Sequence, residues 1–134
     1  MKPTFQQLID HAKATLKYAY APYSRFKVGA ALSDEKGRIF TGVNVENASY
    51  GGTMCAERSA VFQAVSAGAK TITEVVIVTP TTAPTAPCGF CRQVLYEFGG
   101  GKLKVTSLAL KSGRKKSWTL KKLLPDAFGP SDLK

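Results

Sequence analysis

Cysteine and histidine are both scarce in this chain, which contains three cysteines and one histidine among its 134 residues. Three cysteines cannot all pair with one another, and two of them stand in a Cys-x-x-Cys segment, so a disulfide framework is not the expected architecture. We expect reduced thiols and a cytoplasmic location instead. The single histidine, His11, lies in a predicted helix, where an exposed polar role is sufficient to explain it.

Long apolar stretches are also missing from the sequence. A membrane-spanning helix needs roughly 20 apolar residues in a row, and no run approaches that length. The first seven residues are mostly polar, so we expect no secretion signal there and no membrane association. Hydrophobic content of 44% and charged content of 21% are close to globular averages, and we expect one domain over residues 1–134.

Acidic residues are few, because the chain has 9 of them against 19 basic residues, a formal net charge of +10. Much of the excess is local: from Gly101 onward there are nine Lys or Arg and only two Asp. Four of these basic side chains flank a predicted turn, namely Lys111, Arg114, Lys115 and Lys116. Such a surface is able to contact nucleic acid or another polyanion. A solvated face is the simpler interpretation, because only Trp118 offers an aromatic ring for base stacking.

The spacing of apolar residues predicts an α/β domain. The predicted helices span residues 4–19, 54–67, 88–98 and 119–124, and the predicted strands span 27–33, 38–46, 74–79, 103–110 and a short piece near Trp118. The run of four apolar residues from Val75 to Val78 indicates a central strand buried on both faces. Residues 80–87 contain three prolines and are predicted to form a loop.

The three cysteines stand in two short segments with metal-binding chemistry. Cys55 and Glu57 belong to Met-Cys-Ala-Glu-Arg, and Cys88 and Cys91 belong to Pro-Cys-Gly-Phe-Cys-Arg. Three thiolates fill three corners of a tetrahedral zinc site and leave the fourth for water, which is the arrangement of a catalytic zinc. Glu57 is well placed to move protons to and from that water. The pattern matches the known signature of zinc deaminases.

Both cysteine segments are predicted to begin helices, whose N-termini favour thiolate over thiol. Cys88 and Cys91 are three residues apart and therefore lie on one helix face. We predict that Arg58 and Arg92, beside the ligand segments, donate hydrogen bonds to sulfur and offset the negative charge of the site. Two alternatives stay open: a redox Cys-x-x-Cys pair, and a structural zinc site, which would need a fourth ligand. Glu57 alone could also be an acid that favours a helix N-terminus.

The chain resembles the cytidine deaminases of the small homotetrameric type with three cysteine ligands, within the cytidine and deoxycytidylate deaminase superfamily. The resemblance rests on residues 23–31, 42–51, the two cysteine segments and residues 123–133. It implies a three-layer α/β/α sandwich around a mixed five-stranded sheet, with one Zn²⁺ per subunit. It also implies hydrolytic deamination of cytidine and deoxycytidine to uridine and deoxyuridine, with release of ammonia, in pyrimidine salvage. Glu57 would carry protons from water to ring N3 and to the leaving amine.

The resemblance also implies a set of substrate-binding residues. They are Phe26, Asn44, Val45, Glu46, Asn47, Ala48, Ser49, Tyr50, Ala56 and Phe128. Asn44 and Glu46 alternate with valines, so both side chains share one strand face, where an amide beside a carboxylate suits sugar hydroxyls. By resemblance this pair holds the ribose, Phe26 flanks the nucleoside, Tyr50 crosses a subunit interface and Phe128 stacks on the base in a neighbouring subunit's site.

Other functions remain in competition with this interpretation. The net charge of +10 favours a deaminase that acts on RNA or single-stranded DNA, which has to accommodate a flipped base with its flanking phosphates. A deaminase of a cytosine nucleoside antibiotic and a non-enzymatic zinc-binding module are two further alternatives. One departure from the family pattern lies inside the metal motif itself, because Phe90 is larger than the small residue usual between the two cysteines.

Overall fold

Five β-strands form one mixed sheet. The computed structural model describes residues 1–134. The strands are β1 (Gly29–Asp34), β2 (Ile39–Val43), β3 (Ile72–Thr79), β4 (Lys104–Ala109) and β5 (Lys115–Thr119), and the helices are α1 (Phe5–Thr15), α2 (Ala56–Ser66), α3 (Gly89–Gly99) and α4 (Leu120–Leu123). Short 3-10 turns span Leu16–Tyr18, Tyr50–Gly52 and Pro130–Leu133. The strands lie in the order β2-β1-β3-β4-β5. Only β3 and β4 run parallel, and the other neighbours are antiparallel.

The middle strand β3 is apolar on both faces, as its sequence predicts. Val76 and Val78 pack in a cluster with residues of α1. Val75 and Ile77 pack on the opposite face, in the larger cluster that includes residues of α2 and α3. Helices therefore cover both faces of the sheet, and the predicted three-layer α/β/α sandwich around a mixed five-stranded sheet is confirmed.

Helix α1 is shorter than its apolar pattern predicts. Thr4 caps its start with a capping box, in which the Thr4 hydroxyl accepts from the backbone N–H of Gln7 and the Gln7 side chain accepts from Thr4. The helix ends at Thr15 instead of residue 19. The chain then leaves the helical path because the Tyr20 backbone pairs with one extended segment. The Tyr20 N–H donates to the Asn44 carbonyl oxygen, and the Tyr20 carbonyl oxygen accepts from the Glu46 N–H.

Strand β2 also ends early, at Val43 instead of residue 46. Beyond it, Val45 forms isolated bridges with Tyr20 and Met54, so the chain stays extended without extending the sheet ladder. Gly42 brings this edge against helix α2, because a Cβ there would collide with the Ala56 carbonyl oxygen. The start of α2 is thereby fixed against the sheet.

The short piece near Trp118 is the edge strand β5, joined to β4 by the turn that the sequence predicts at Ser112-Gly113. Gly113 adopts a positive φ of 77°, a conformation that glycine takes without steric strain. Lys115 and Lys116 lie on this exposed edge strand, and Trp118 packs against the larger core cluster. The structure contains no helix with the length and apolar character that crossing a membrane requires.

Candidate functional site

The three cysteines converge at the facing N-termini of two helices. Cys55 is the N-cap residue of α2, Cys88 is the N-cap residue of α3, and Cys91 lies in the first turn of α3. Cys88 Sγ lies 3.7 Å from Cys55 Sγ and 3.5 Å from Cys91 Sγ, and all three sulfur atoms lie within 4.8 Å of one another. Residues 33 positions apart in the sequence thus form one sulfur cluster.

The spacing of the sulfur atoms fits a zinc ion. Zinc bound tetrahedrally with Zn–S distances of about 2.3 Å places its sulfur ligands about 3.8 Å apart, close to the two measured separations. Thiolates are the soft donors that zinc accepts readily. No histidine or carboxylate completes the cluster. His11, on α1, is engaged with the Gln7 carbonyl oxygen at 2.8 Å. The donor set therefore leaves one tetrahedral position for a non-protein ligand.

Arg58 lies against the sulfur cluster, as predicted. Its Nη2 donates to Cys55 Sγ at 3.5 Å. Hydrogen bonds from the Cys91 thiol, then from Arg58 and Cys88, hold the pKa of Cys55 well below the usual thiol value, against the opposing effect of burial. The same contact with Cys55, together with burial, raises the pKa of Cys91. One thiolate therefore forms readily at Cys55, with a cation beside it.

Arg92 lies in a different position from the one predicted for it. Its Nε donates to the Pro87 carbonyl oxygen at 2.7 Å, and its Nη1 donates to the Leu123 carbonyl oxygen at 2.8 Å. No hydrogen bond joins its guanidinium to a sulfur atom. The sequence placed Arg92 next to a ligand but did not show that the end of α4 offers it a carbonyl. Arg92 ties the loop before Cys88 to that helix end.

Glu57 is a buried carboxylate in the first turn of α2, with only 5% of its surface exposed. Burial raises the pKa of Glu57 to about 7, against the lowering influence of its own backbone N–H and with a smaller contribution from the Cys55 thiolate. A carboxyl group with a pKa near neutrality is suited both to accept and to donate a proton at physiological pH.

A cavity of about 360 Å³ opens beside the cysteines. Seven of the predicted site residues line it: Phe26, Asn44, Glu46, Cys55, Ala56, Glu57 and Cys88. Its volume suits a small organic molecule. Its wall also includes Ser24, Thr53 and Thr85, which the sequence reasoning missed. These hydroxyl residues come from loops, where no periodic pattern indicated which way a side chain would face.

Asn44 and Glu46 hold the wall of this cavity in place. Asn44 Oδ1 accepts from the Val28 backbone N–H at 2.9 Å, and Asn44 Nδ2 donates to the Phe26 carbonyl oxygen at 2.6 Å. Glu46 Oε1 accepts from the backbone N–H groups of Tyr23 and Ser24, and Oε2 accepts from the Ser24 hydroxyl. Hydrogen bonds from Ser24 hold the pKa of Glu46 below its usual range.

The other predicted binding residues lie outside this cavity within the single chain. Tyr50 lines a second, adjoining cavity of about 410 Å³ together with Tyr23, whose ring meets the Tyr50 ring edge-on at 6.1 Å between centroids. Four residues lie on the exposed segment beyond Asn44: Val45, Asn47, Ala48 and Ser49. Phe128 is 58% exposed, and Gln93 donates to its carbonyl oxygen at 2.7 Å. The chain does not bring these residues into its own main cavity.

Comparison with known proteins gives a consistent set of relatives. The family described as the cytidine and deoxycytidylate deaminase zinc-binding region matches residues 3–107. A cytidine deaminase of Sporosarcina psychrophila is 46% identical over 128 residues, which cover 96% of this chain and 93% of the relative. A probable cytidine deaminase of Dictyostelium discoideum is 45% identical, over 96% of this chain and 86% of the relative. The crystal structure of a cytidine deaminase from Burkholderia pseudomallei superposes with a TM-score of 0.89 and 48% identity, covering 94% of this chain and 100% of that one.

Proposed function

Because the chain belongs to the cytidine and deoxycytidylate deaminase family, we propose that it hydrolyses cytidine and deoxycytidine to uridine and deoxyuridine, releasing ammonia. The observation that carries the proposal is the pairing of a three-sulfur cluster, to which no further protein donor belongs, with the buried carboxyl of Glu57 on the wall of the same cavity. Cys55, Cys88 and Cys91 would hold one Zn²⁺ per subunit, within a single domain over residues 1–134.

Glu57 performs the proton transfers of this reaction. Zinc, when bound, supplies a Lewis acid that makes water nucleophilic near neutral pH. Glu57 takes one proton of the attacking water and delivers it to ring N3. As the C4–N bond breaks, it takes the remaining proton from the oxygen added at C4 and passes it to the amine, which leaves as ammonia. Burial raises the pKa of Glu57 above that of a free carboxyl, which favours the protonated form that has to donate. Phe26, Val28 and Ile77 line the cavity with apolar surface, which limits the access of bulk water.

Asn44 and Glu46 bind the sugar with the hydrogen-bonding capacity that the wall leaves free. An amide offers two N–H donors and two acceptor sites, and Asn44 uses one of each on the backbone of Phe26 and Val28. Glu46 Oε2 accepts one hydrogen bond, from Ser24, and keeps a second acceptor site. A sugar hydroxyl that donates to Glu46 and accepts from Asn44 would use the remaining acceptor site of Glu46 Oε2 and the second N–H of Asn44.

The charges around the cavity favour a neutral nucleoside over a polynucleotide. The net charge of the chain is +10, yet no lysine or arginine lines either of the two adjoining cavities. The charged residues among their lining groups are Glu46 and Glu57. The phosphates that flank a polynucleotide base would meet anionic groups without compensation, so single-stranded nucleic acid is the weaker candidate substrate.

An assembly of four subunits is part of the proposal. Tyr50 is 77% exposed and Phe128 is 58% exposed, although both are large aromatic side chains. Their family counterparts act across subunit boundaries, and such contacts would bury these two rings. We further propose a cytoplasmic enzyme of pyrimidine salvage, since a cluster of three free thiols requires a reducing compartment.

The decisive assay follows ultraviolet absorbance after cytidine or deoxycytidine is added to the purified protein. We expect the spectral change of conversion to the uracil product with both nucleosides. Cytosine-containing single-stranded oligonucleotides, supplied at the same base concentration, should react at least a hundredfold more slowly. If the oligonucleotides react rapidly and cytidine is not converted, the protein is a polynucleotide deaminase instead.

A further inference from the structure

Phe90 links the two helices that carry the sulfur cluster. It lies between Cys88 and Cys91 near the start of α3, and its side chain is 75% exposed. Its ring does not stand alone, because the guanidinium carbon of Arg58, from α2, lies 5.4 Å from the ring centroid. That distance is within the roughly 6 Å range of a cation–π contact.

Arg58 has an incomplete set of hydrogen bonds in this position. Its Nη2 donates to Cys55 Sγ, whereas its Nε is buried and has no hydrogen-bond partner. A guanidinium is weakly hydrated and stacks readily on aromatic faces. The negative face of the Phe90 ring therefore provides an electrostatic contact to a cation whose buried Nε has no protein acceptor.

We propose that Phe90 is a positioning residue, whose ring holds the Arg58 guanidinium against the Cys55 sulfur and thereby tunes the zinc site. The inference rests on the proposed function. Three thiolates and a divalent zinc ion would carry one net negative charge, which weakens the Lewis acidity of the metal. A cation fixed beside Cys55 offsets that charge, and its hydrogen bond keeps the Cys55 sulfur in place as a ligand, which slows loss of the metal.

The aromatic ring, and not apolar bulk alone, is what the inference requires. Leucine at this position keeps an apolar side chain of moderate size but removes the π face, whereas tyrosine keeps the face. Phe90 is absent from the lining of the main cavity, so its replacement should leave substrate binding intact. The expected signature is a lower kcat with an unchanged KM, together with faster loss of zinc.

The experiment measures the rate of zinc transfer to a chromogenic chelator, alongside kcat and KM for cytidine. Phe90→Leu should speed zinc release roughly 2- to 5-fold, the range of a cation–π contact at an exposed site, and lower kcat over the same range. Phe90→Tyr should resemble the unmodified protein. Tyr18→Leu is the matched control, because it removes a ring that lies 5.2 Å from the ammonium of Lys17 and lines neither cavity.

A double-mutant cycle identifies the route of the effect. In an Arg58→Gln background, Phe90→Leu should cause no further change in zinc release, because the cation it acts through is absent. An undiminished effect in that background would overturn the inference. Zinc release at the unmodified rate in Phe90→Leu would also overturn it. The same holds if light scattering shows that this variant alters subunit assembly while zinc release stays at the unmodified rate.

The same experiment separates this inference from the proposed function. If the unmodified protein holds zinc and deaminates cytidine while Phe90→Leu behaves identically, only the positioning role of Phe90 fails. If the unmodified protein holds no zinc, both proposals fail. If it holds zinc without turning over cytidine, the proposed function fails, and zinc release still decides whether Phe90 acts on the metal site.

Discussion

At the scale of single residues, the chemistry depends on how one helix start positions Glu57. Its carboxyl lies in the first turn of α2, two residues after Cys55, where the close contact at Gly42 fixes that turn against the sheet. Burial then raises its pKa to about 7. Position and protonation are therefore set by the same packing, which makes the proton-transfer role testable by a substitution that preserves shape.

Glu57→Gln should retain zinc and the fold but lose turnover. The amide is nearly isosteric with the carboxyl and cannot exchange a proton, so we expect kcat to fall by about 10²- to 10⁴-fold. The measurement is kcat for cytidine, together with zinc content. Glu97→Gln is the matched control, because Glu97 is exposed on α3 and lines neither cavity. Turnover within a few-fold of normal in Glu57→Gln would remove the proton-shuttle role.

Site residues with contacts close in sequence were predicted, and those with distant contacts were missed. Cys88, Cys91 and Glu57 belong to compact motifs whose chemistry can be recognised from a few neighbouring positions. The contact between Ser24 and Glu46 spans 22 positions, and the contact between Arg92 and Leu123 spans 31. Such contacts depend on how distant segments pack, so the sequence indicated Arg58 and Arg92 equally, and only the structure separates them.

At the scale of secondary-structure elements, the hairpin between β1 and β2 is stabilised by one buried carboxylate. Asp34 accepts from the backbone N–H groups of Lys36 and Arg38, and from Arg38 Nε at 2.8 Å. Arg38 Nη2 lies 2.7 Å from the same carboxylate. Burial acts to raise the pKa of Asp34, but these hydrogen bonds and the charge of Arg38 together lower it below the ordinary value of 3.8.

This hairpin predicts how stability changes in acid. A carboxyl whose folded pKa is depressed contributes stability above its unfolded pKa, and that contribution is lost as the pH falls through the folded value. Asp34→Asn should therefore lower the melting temperature at pH 7. It should also reduce the drop in melting temperature between pH 5 and pH 2, measured by thermal unfolding.

Asp10→Asn is the control for the hairpin experiment. Asp10 is exposed on α1, where it accepts only from Gln6, so its replacement should leave the pH dependence nearly unchanged. An acid-induced loss of stability in Asp34→Asn as large as in the unmodified protein would contradict the role assigned to this carboxylate.

Element types were easier to predict than element ends. Val75 to Val78 indicated the central strand correctly, because a short run of apolar residues is typical of a strand that is buried on both faces. The ends of α1 and β2 were predicted too far along the chain, because backbone pairing between Tyr20 and Asn44 competes with both elements. That pairing is a tertiary contact, and hydrophobic periodicity carries no signal for it.

At the scale of the whole molecule, the proposed assembly supplies each active site with an aromatic ring from a neighbouring chain. Phe128 lies outside the main cavity of its own chain, and its ring is exposed. If the ring closes over a base bound in a neighbouring subunit, each active site requires two chains. Activity should then depend on which subunits are combined, and not only on which residues are present.

Mixed assemblies test this dependence. Phe128→Ala should raise KM for cytidine, because a lost aromatic stack weakens binding by about 1–3 kcal/mol. Glu57→Gln subunits are nearly inactive but keep their Phe128. In the co-expressed mixture, some sites should combine Glu57 of a Phe128→Ala subunit with Phe128 of a neighbouring Glu57→Gln subunit. Those sites should have a KM near that of the unmodified protein.

Two results would contradict a site that is shared between chains. A mixture whose activity equals the sum of its separate parts would show that Phe128 serves its own chain or no site at all. Light scattering on each sample supplies the control, since every variant should retain the mass of four chains. A monomer with full activity toward cytidine would contradict the assembly directly.

X-ray absorption at the zinc edge of the purified protein tests the three-sulfur coordination without intermediate steps. We expect about one zinc ion per chain, with three sulfur neighbours at about 2.3 Å and one lighter oxygen neighbour near 2.0 Å. The oxygen neighbour is expected to respond when a cytidine analogue is added. A zinc ion surrounded by four protein ligands, or a protein that purifies active without zinc, would contradict this expectation.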